Sequence, residues 1–283
     1  MTSATDYTID ELISVCIARQ IQNHDIVAQG IATPLVMAGV ILARLTHAPD
    51  TVLASAVGGT FALRGAPLGL TRSEAPWLDH GLALMSFAQI ACEFLPRFQP
   101  KEFLRPAQVD ARGNINNVFI GGEYARPQMR LPGSGGIADV TTYNPRLMLY
   151  VPRHSRAVFV EQVDFISGRG HSPDRPELGP QYCVTNLGQF DWANGCMRLI
   201  AYHPGQSAAS IQAKTGFELD IAPDARETEP PTVEEVRLLR EVIDPLGVRR
   251  METLSGAQRK ELIREIVRRE AALSGNAPPQ ATG

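Results

Sequence analysis

The sequence predicts an α/β fold, a mostly parallel sheet flanked by helices, with an extra helix at its C-terminal end. Three observations carry that expectation. Helix-like and strand-like apolar patterns alternate from the N-terminal end onward. The first strands are short, continuous apolar runs, as in sheets covered on both faces. The composition is that of an ordinary globular chain, with 283 residues, 44% hydrophobic and 20% charged, enough to bury a sizeable core.

The first helix is expected after Thr8, because Leu12, Ile13, Cys16, Ile17 and Ile21 recur at helical spacing. Asn23 to Asp25 turn the chain into a strand at Ile26–Ala28. Thr33 and Pro34 then form a good helix start, cap and first position, for a buried helix from Leu35 to about Thr46. Ala48-Pro49 stops it, and Thr51 to Ala56 reads as a second buried strand. Val57-Gly58-Gly59 closes that strand. Ligands of open α/β sheets bind beyond such strand ends, so chemistry is expected there. Thr60 to Ser73 reads as loop and Trp77 to Phe94 as helix. Asp110 to Asn117 (DARGNINN) is a turn, and Pro132 to Gly136 a flexible loop whose amides suit an anion-binding nest. Leu147–Val151 and Ala157–Val160 read as strands. Cys183–Thr185, Gly188–Asp191 and Met197–Tyr202 read as shorter, more antiparallel ones. Thr232 caps a late helix that Asp244-Pro245 ends, and a charged amphipathic helix follows Met251.

A net charge of -3 gives no electrostatic reason to expect nucleic acid or an anionic membrane as partner. Cys16, Cys92, Cys183 and Cys196 lack zinc-site spacing, so no metal is expected and buried, reduced thiols are. The polar, acidic N-terminal segment is unlike a signal peptide, and Ile31 to Ala43 is too short to span a membrane. The expected location is cytoplasmic.

The segments VDARGNINNVFIG, PGSGG, GPQYCVTNLGQFDW, HPGQSAASIQAKTGFELD and EEVRLLREVIDP, in that order, resemble β subunits of the glutaconate CoA-transferase type. VFVEQVDFISG is closer to the steroid-ring CoA hydrolase branch of the same superfamily. The likeness covers Thr8 to Arg250, one expected domain. Residues 251–283, a charged helix and disordered tail, fall outside it.

The resemblance implies an α/β fold, a separate α subunit in a heterodimer or heterotetramer, and an active site between the two. It implies a coenzyme A thioester as substrate, with no cofactor permanently bound. The family's transferases use one β-subunit glutamate as nucleophile, because an ionised carboxylate can attack a thioester through a mixed anhydride. That position falls on Ala56 here. No Asp, Glu or Cys occurs between Asp50 and Glu74, so a small error of register does not restore the nucleophile.

The expected pocket residues are Val57, Gly58, Gly133, Ser134, Gly135 and Gly136. Ser55 is expected to point away from the Ala56 face. Glu161 is a candidate proton-transfer group if buried with a raised pKa, although pairing with an arginine is the competing reading. Asn114 and Asn116 are expected to stabilise their turn, Glu123 to be exposed, and His171 and His203 to be structural. Three functions stay open. The chain is a subunit without its own nucleophile, in a hydrolytic, retro-Claisen or decarboxylating enzyme whose α subunit supplies the carboxylate. It is a genuine CoA transferase with the carboxylate elsewhere. Or it is a non-catalytic scaffold.

Overall fold

The computed structural model describes residues 2–30, 33–55, 59–65, 67–71, 73 and 78–273. The chain divides into two compact units, one of residues 1–87 with 230–283 and one of residues 88–229.

In the first unit, α1 (Ile9–Arg19) starts where the Thr8 amide donates to the Glu11 carboxylate at 2.8 Å. Its apolar stripe of Leu12, Ile13, Cys16 and Ile17 is buried. After β1 (Ile26–Gln29), α2 (Pro34–Leu45) opens on Pro34 and is buried from Leu35 to Ala43. The two helices approach closely: a Cβ on Gly39 would come within 2.6 Å of the Ser14 carbonyl oxygen and 2.7 Å of Ile17. β2 (Val52–Ser55) runs parallel to β1, with Ile26 opposite Val52 and Gln29 opposite Ser55.

The expected loop at Thr60 opens as a strand, β3 (Thr60–Ala62), antiparallel to β2. Of the helix expected from about Trp77 to Phe94, Trp77 lies outside the described residues and Leu78 and Asp79 are helical, but β4 (Gly81–Leu84) then interrupts it by pairing with β3, and helix resumes at Phe87. Leu82 and Leu84 recur every second residue, the period of a strand.

The C-terminal part of this unit is tied to its N-terminal part by charge. Arg249 is buried against Asp10, Glu11 and Asp244 at 2.8, 2.9 and 2.9 Å, and Arg240 bonds Glu11 at 2.7 Å. Burial alone raises the Glu11 carboxyl, but hydrogen bonds from Arg240 and Thr8 and the nearby guanidinium of Arg249 hold it low. The C-terminal helix Gly256–Leu273 buries Leu262 and Ile266. Its Glu270 carboxylate accepts the amides of Leu70 and Thr71 at 2.5 and 2.9 Å.

The second unit contains β5 (Lys101–Leu104), β6 (Gln108–Val109), β7 (Ile115–Asn116), β8 (Phe119–Glu123), β9 (Arg126–Arg130), β10 (Leu147–Val151), β11 (Tyr182–Thr185), β12 (Gly188–Ala193), β13 (Cys196–Tyr202) and β14 (Asp220–Glu227). Six of them lie in the order β14-β13-β12-β11-β10-β5. β5, β10 and β11 are parallel, β11 to β13 antiparallel as expected, and β14 is parallel to β13. β6–β7 and β8–β9 are separate two-stranded ribbons. Leu149, Phe159, Cys183, Phe190 and Leu199 centre the core.

The strand expected at Ala157–Val160 does not form. The Val158 and Phe159 amides both turn back to the Ser155 carbonyl, leaving one bridge from Phe159 to Val109. A helix at Ile137–Tyr143, unmarked in the sequence because of its β-branched residues, follows the Gly133–Gly136 loop. Cys92 and Cys196 are exposed, contrary to the expectation of buried thiols, whereas Cys16 and Cys183 are buried. Burial pushes the Cys16 thiol up to about 12. Among the described residues, no helix is long and apolar enough to cross a membrane, and no cluster of His, Cys, Asp or Glu is arranged to hold a metal ion.

Candidate active site

Ala56, Val57 and Gly58 lie outside the described residues. Their flanks are defined. β2 ends at buried Ser55, directly opposite Thr60 of the neighbouring antiparallel strand β3. Gly59 has a φ of +64°, and a Cβ there would come within 2.4 Å of the Met85 carbonyl oxygen, so only glycine fits.

The Gly133–Gly136 loop belongs to the second unit. Gly133 and Gly135 have φ of +109° and +53°, and a Cβ at Gly133, Gly135 or Gly136 would meet nothing within 4 Å. Gly133 and Gly135 therefore serve backbone conformation, and all three glycines leave space around the loop. The Gly133 amide donates to Asn117 at 2.9 Å, and the Ile137 amide to Ser134 at 3.0 Å. Among the described residues, no backbone carbonyl takes the amides of Ser134, Gly135 or Gly136. Amides left open in this way suit an anion or a developing oxyanion.

The adjoining DARGNINN turn is structural. Asp110 accepts the amides of Arg112 and Asn114, both at 3.0 Å, and the Asn114 side chain at 2.8 Å. Asn114 in turn accepts the Gly170 amide at 2.9 Å, and buried Asn116 bonds Gln108 at 2.7 Å and Phe119 at 2.6 Å. Asp164, three residues beyond Glu161, accepts Gln108 and the Gly121 amide, both at 3.0 Å, so it anchors β8.

Glu161 is exposed where the chain turns, so the burial on which its candidacy for proton transfer depended is not met. With Asp110, Ala111, Arg112, Gln162 and Cys196 it lines a cleft of about 760 Å³ that does not include the glycine loop. His203 is buried, bonding Thr228 at 2.9 Å and the Thr185 carbonyl at 2.8 Å. Burial lowers its pKa to about 4. His171 bonds the Pro180 carbonyl at 2.8 Å. Each ring is occupied by local structure. A third histidine, His154, carries no sequence motif that marks it. It stacks on Phe159 at 3.7 Å and bonds Thr185 and Thr215 at 3.3 and 3.1 Å, and burial takes its pKa down to about 3.

No protein-family model matches the sequence. The β subunit of glutaconate CoA-transferase from Acidaminococcus fermentans is 30% identical over 264 residues, 87% of this chain and 96% of that one. The chain belongs to the family of CoA-transferase β subunits. It is also 33% identical to the IpdB chain of the cholesterol ring-cleaving hydrolase of Mycobacterium tuberculosis, over 79% of its own length and 89% of that chain. Among solved structures, a cysteine-to-valine variant of the decarboxylase AibA/AibB matches with a TM-score of 0.77 and 31% identity, over 88% of this chain and 100% of that one. Transferase, hydrolase and decarboxylase thus share the fold of this β subunit, so its reaction has to be argued from the site.

Proposed function

We propose that this β subunit acts on an acyl-coenzyme A thioester together with an α-type partner, and supplies no covalent carboxylate of its own. The observation that carries the reading is a stretch with no Asp, Glu or Cys between Asp50 and Glu74, within which the family resemblance assigns Ala56 to the position of the glutamate. A methyl group cannot open a thioester. A carboxylate of the partner then serves as base or nucleophile, and the reaction is hydrolytic or retro-Claisen carbon–carbon cleavage, or decarboxylation, in place of CoA exchange. Val57, Gly58 and the Gly133–Gly136 loop are the residues assigned to acyl and CoA binding, the loop through backbone amides that suit a thioester oxygen. Relatives named hydrolase and decarboxylase support chemistry of this kind.

The test is covalent trapping in the two-subunit complex. Acyl-CoA followed by borohydride should leave no modified peptide on this chain, whereas A56E should acquire one at that position. An adduct on the wild-type chain, or ping-pong transfer of CoA between two carboxylic acids, overturns the reading. The second result would favour true CoA transfer with the carboxylate elsewhere, the activity in the name of the Acidaminococcus relative.

A further inference from the structure

The second unit holds the cleft of about 760 Å³ to which the proposed reaction gives no role. Its lining includes the Asp110–Arg112 segment, and the backbone there is fixed. The Ala111 carbonyl accepts the Met197 amide at 2.7 Å and the Trp192 indole at 3.1 Å, and the Arg112 carbonyl accepts the His171 amide at 2.8 Å. Packing around it is tight: a Cβ on Gly170 would come within 2.2 Å of the Arg112 carbonyl oxygen, and one on Gly113 within 2.5 Å of Pro180. The Asp110 carboxylate is occupied inside the turn, by the amides of Arg112 and Asn114 and the Asn114 side chain. Recognition in the cleft therefore falls to its other side chains.

Arg112, Glu161 and Gln162 all line this cleft and are exposed. Among the described residues, none of the three side chains forms a hydrogen bond or an ion pair. A guanidinium and a carboxylate thus share one cleft without neutralising each other. Cys196, the first residue of β13, adds an exposed thiol to the same lining.

We propose that this cleft binds a short peptide free at both ends, its carboxylate on Arg112 and its ammonium on Glu161. A guanidinium takes a carboxylate through two parallel N–H donors, and a carboxylate takes an ammonium by charge-assisted hydrogen bonds. A ligand with one charge leaves one of the two side chains unanswered. The Gln162 amide can both donate to and accept from a peptide bond. The volume lies in the range of sites for ligands larger than a single amino acid. Because the backbone is already fixed, little ordering is needed when the peptide enters.

The test uses the two-subunit complex, with Cys196 as reporter and Cys92, the other exposed thiol, as control. Alkylation by iodoacetamide is followed at each cysteine by peptide mass mapping, with triglycine, N-acetyltriglycine and triglycinamide as probes. Triglycine should slow alkylation of Cys196 saturably and leave Cys92 unchanged. Each blocked peptide lacks one charge and should need about threefold or more higher concentration for the same effect. R112Q should erase the preference for triglycine over triglycinamide, and E161Q the preference over N-acetyltriglycine, each leaving the other preference in place. Neither side chain has a partner to lose, so both variants should melt as wild type does. Calorimetry with the same three peptides should give the same ranking independently of either thiol. Equal effects of the three peptides, preferences unchanged in the variants, or no effect of triglycine at about 20 mM overturns the proposal. Equal slowing at Cys92 overturns it as well, since the effect then lies outside the cleft. So does a Cys196 that is unreactive in the complex before peptide is added, because the partner subunit then covers the cleft.

Discussion

Replacing Arg249 by methionine should destabilise the protein more than any single surface change. The guanidinium is buried and meets Asp10, Glu11 and Asp244 at 2.8–2.9 Å. Methionine fills much of its volume and answers none of the charge. Glu11 keeps Arg240 at 2.7 Å, and Asp244 keeps the amides of Val248 and Arg249 at 2.7 and 2.9 Å, so Asp10 is the carboxylate most exposed to the loss. Removing one partner of a buried ion pair costs about 3–5 kcal/mol, a large part of the roughly 5–15 kcal/mol that holds a domain folded. At about 2–4 °C per kcal/mol, R249M should melt on the order of 10 °C lower by differential scanning calorimetry. Protonation relieves a buried, unpaired carboxylate, so the gap between variant and wild type should narrow as the pH falls from 8 to 5. A gap below about 1 kcal/mol, or one independent of pH, refutes the reasoning.

His154 and His203 hold pKa values of about 3 and 4, below the ordinary value of 6.5, so the unfolded chain binds their protons first. Their contribution is complete above pH 6.5 and is lost as the pH falls toward 4, at a limiting slope of roughly 2–3 kcal/mol per pH unit. Urea midpoints at pH 7, 6 and 5 should therefore fall in series, and H154Q/H203Q should flatten them. Glu102 acts in the opposite direction. Its carboxyl is buried with Oε2 lacking a hydrogen-bond partner among the described residues, and burial raises its pKa from 4.5 to about 7. The native state keeps a proton that the unfolded chain releases, so this stability is complete below pH 4.5 and is lost as the pH rises to about 7. E102Q should gain about 1–3 kcal/mol over wild type at pH 8 and nothing at pH 4; an equal gain at both values would show that ionisation is not the cause.

Much of the first unit was legible in the sequence because local signals agree there. Thr8 and Glu11 flank an apolar stripe, Pro34 stands at a helix start, and Val52–Ser55 is a short apolar run between turns. The stretch Gly81–Phe87 was misread because its leucines suit either period, and pairing with β3 decides between them. The same ambiguity gave Ala157–Val160 a strand where the chain turns, and Glu161 just beyond it is exposed. Long-range pairs leave no local mark at all: Arg249 and Glu11 are 238 residues apart. In the candidate site, the open glycine loop and the Asp110 turn follow from residue type, because positive φ favours glycine and Asp–Asn turns bond their own backbone.

The Arg249 cluster also sets an order of events during synthesis. Its acidic partners at positions 10 and 11 leave the ribosome long before the arginine that neutralises them. At about 5–20 residues per second, roughly 10–30 s pass between the emergence of Phe87 and that of Arg249. Residues 88–229 are complete within this interval and can close around their own core, while α1 and α2 wait for the C-terminal segment. A nascent chain arrested after Glu229 should therefore carry a protease-resistant second half and a sensitive first half, so the part translated first is the last to fold.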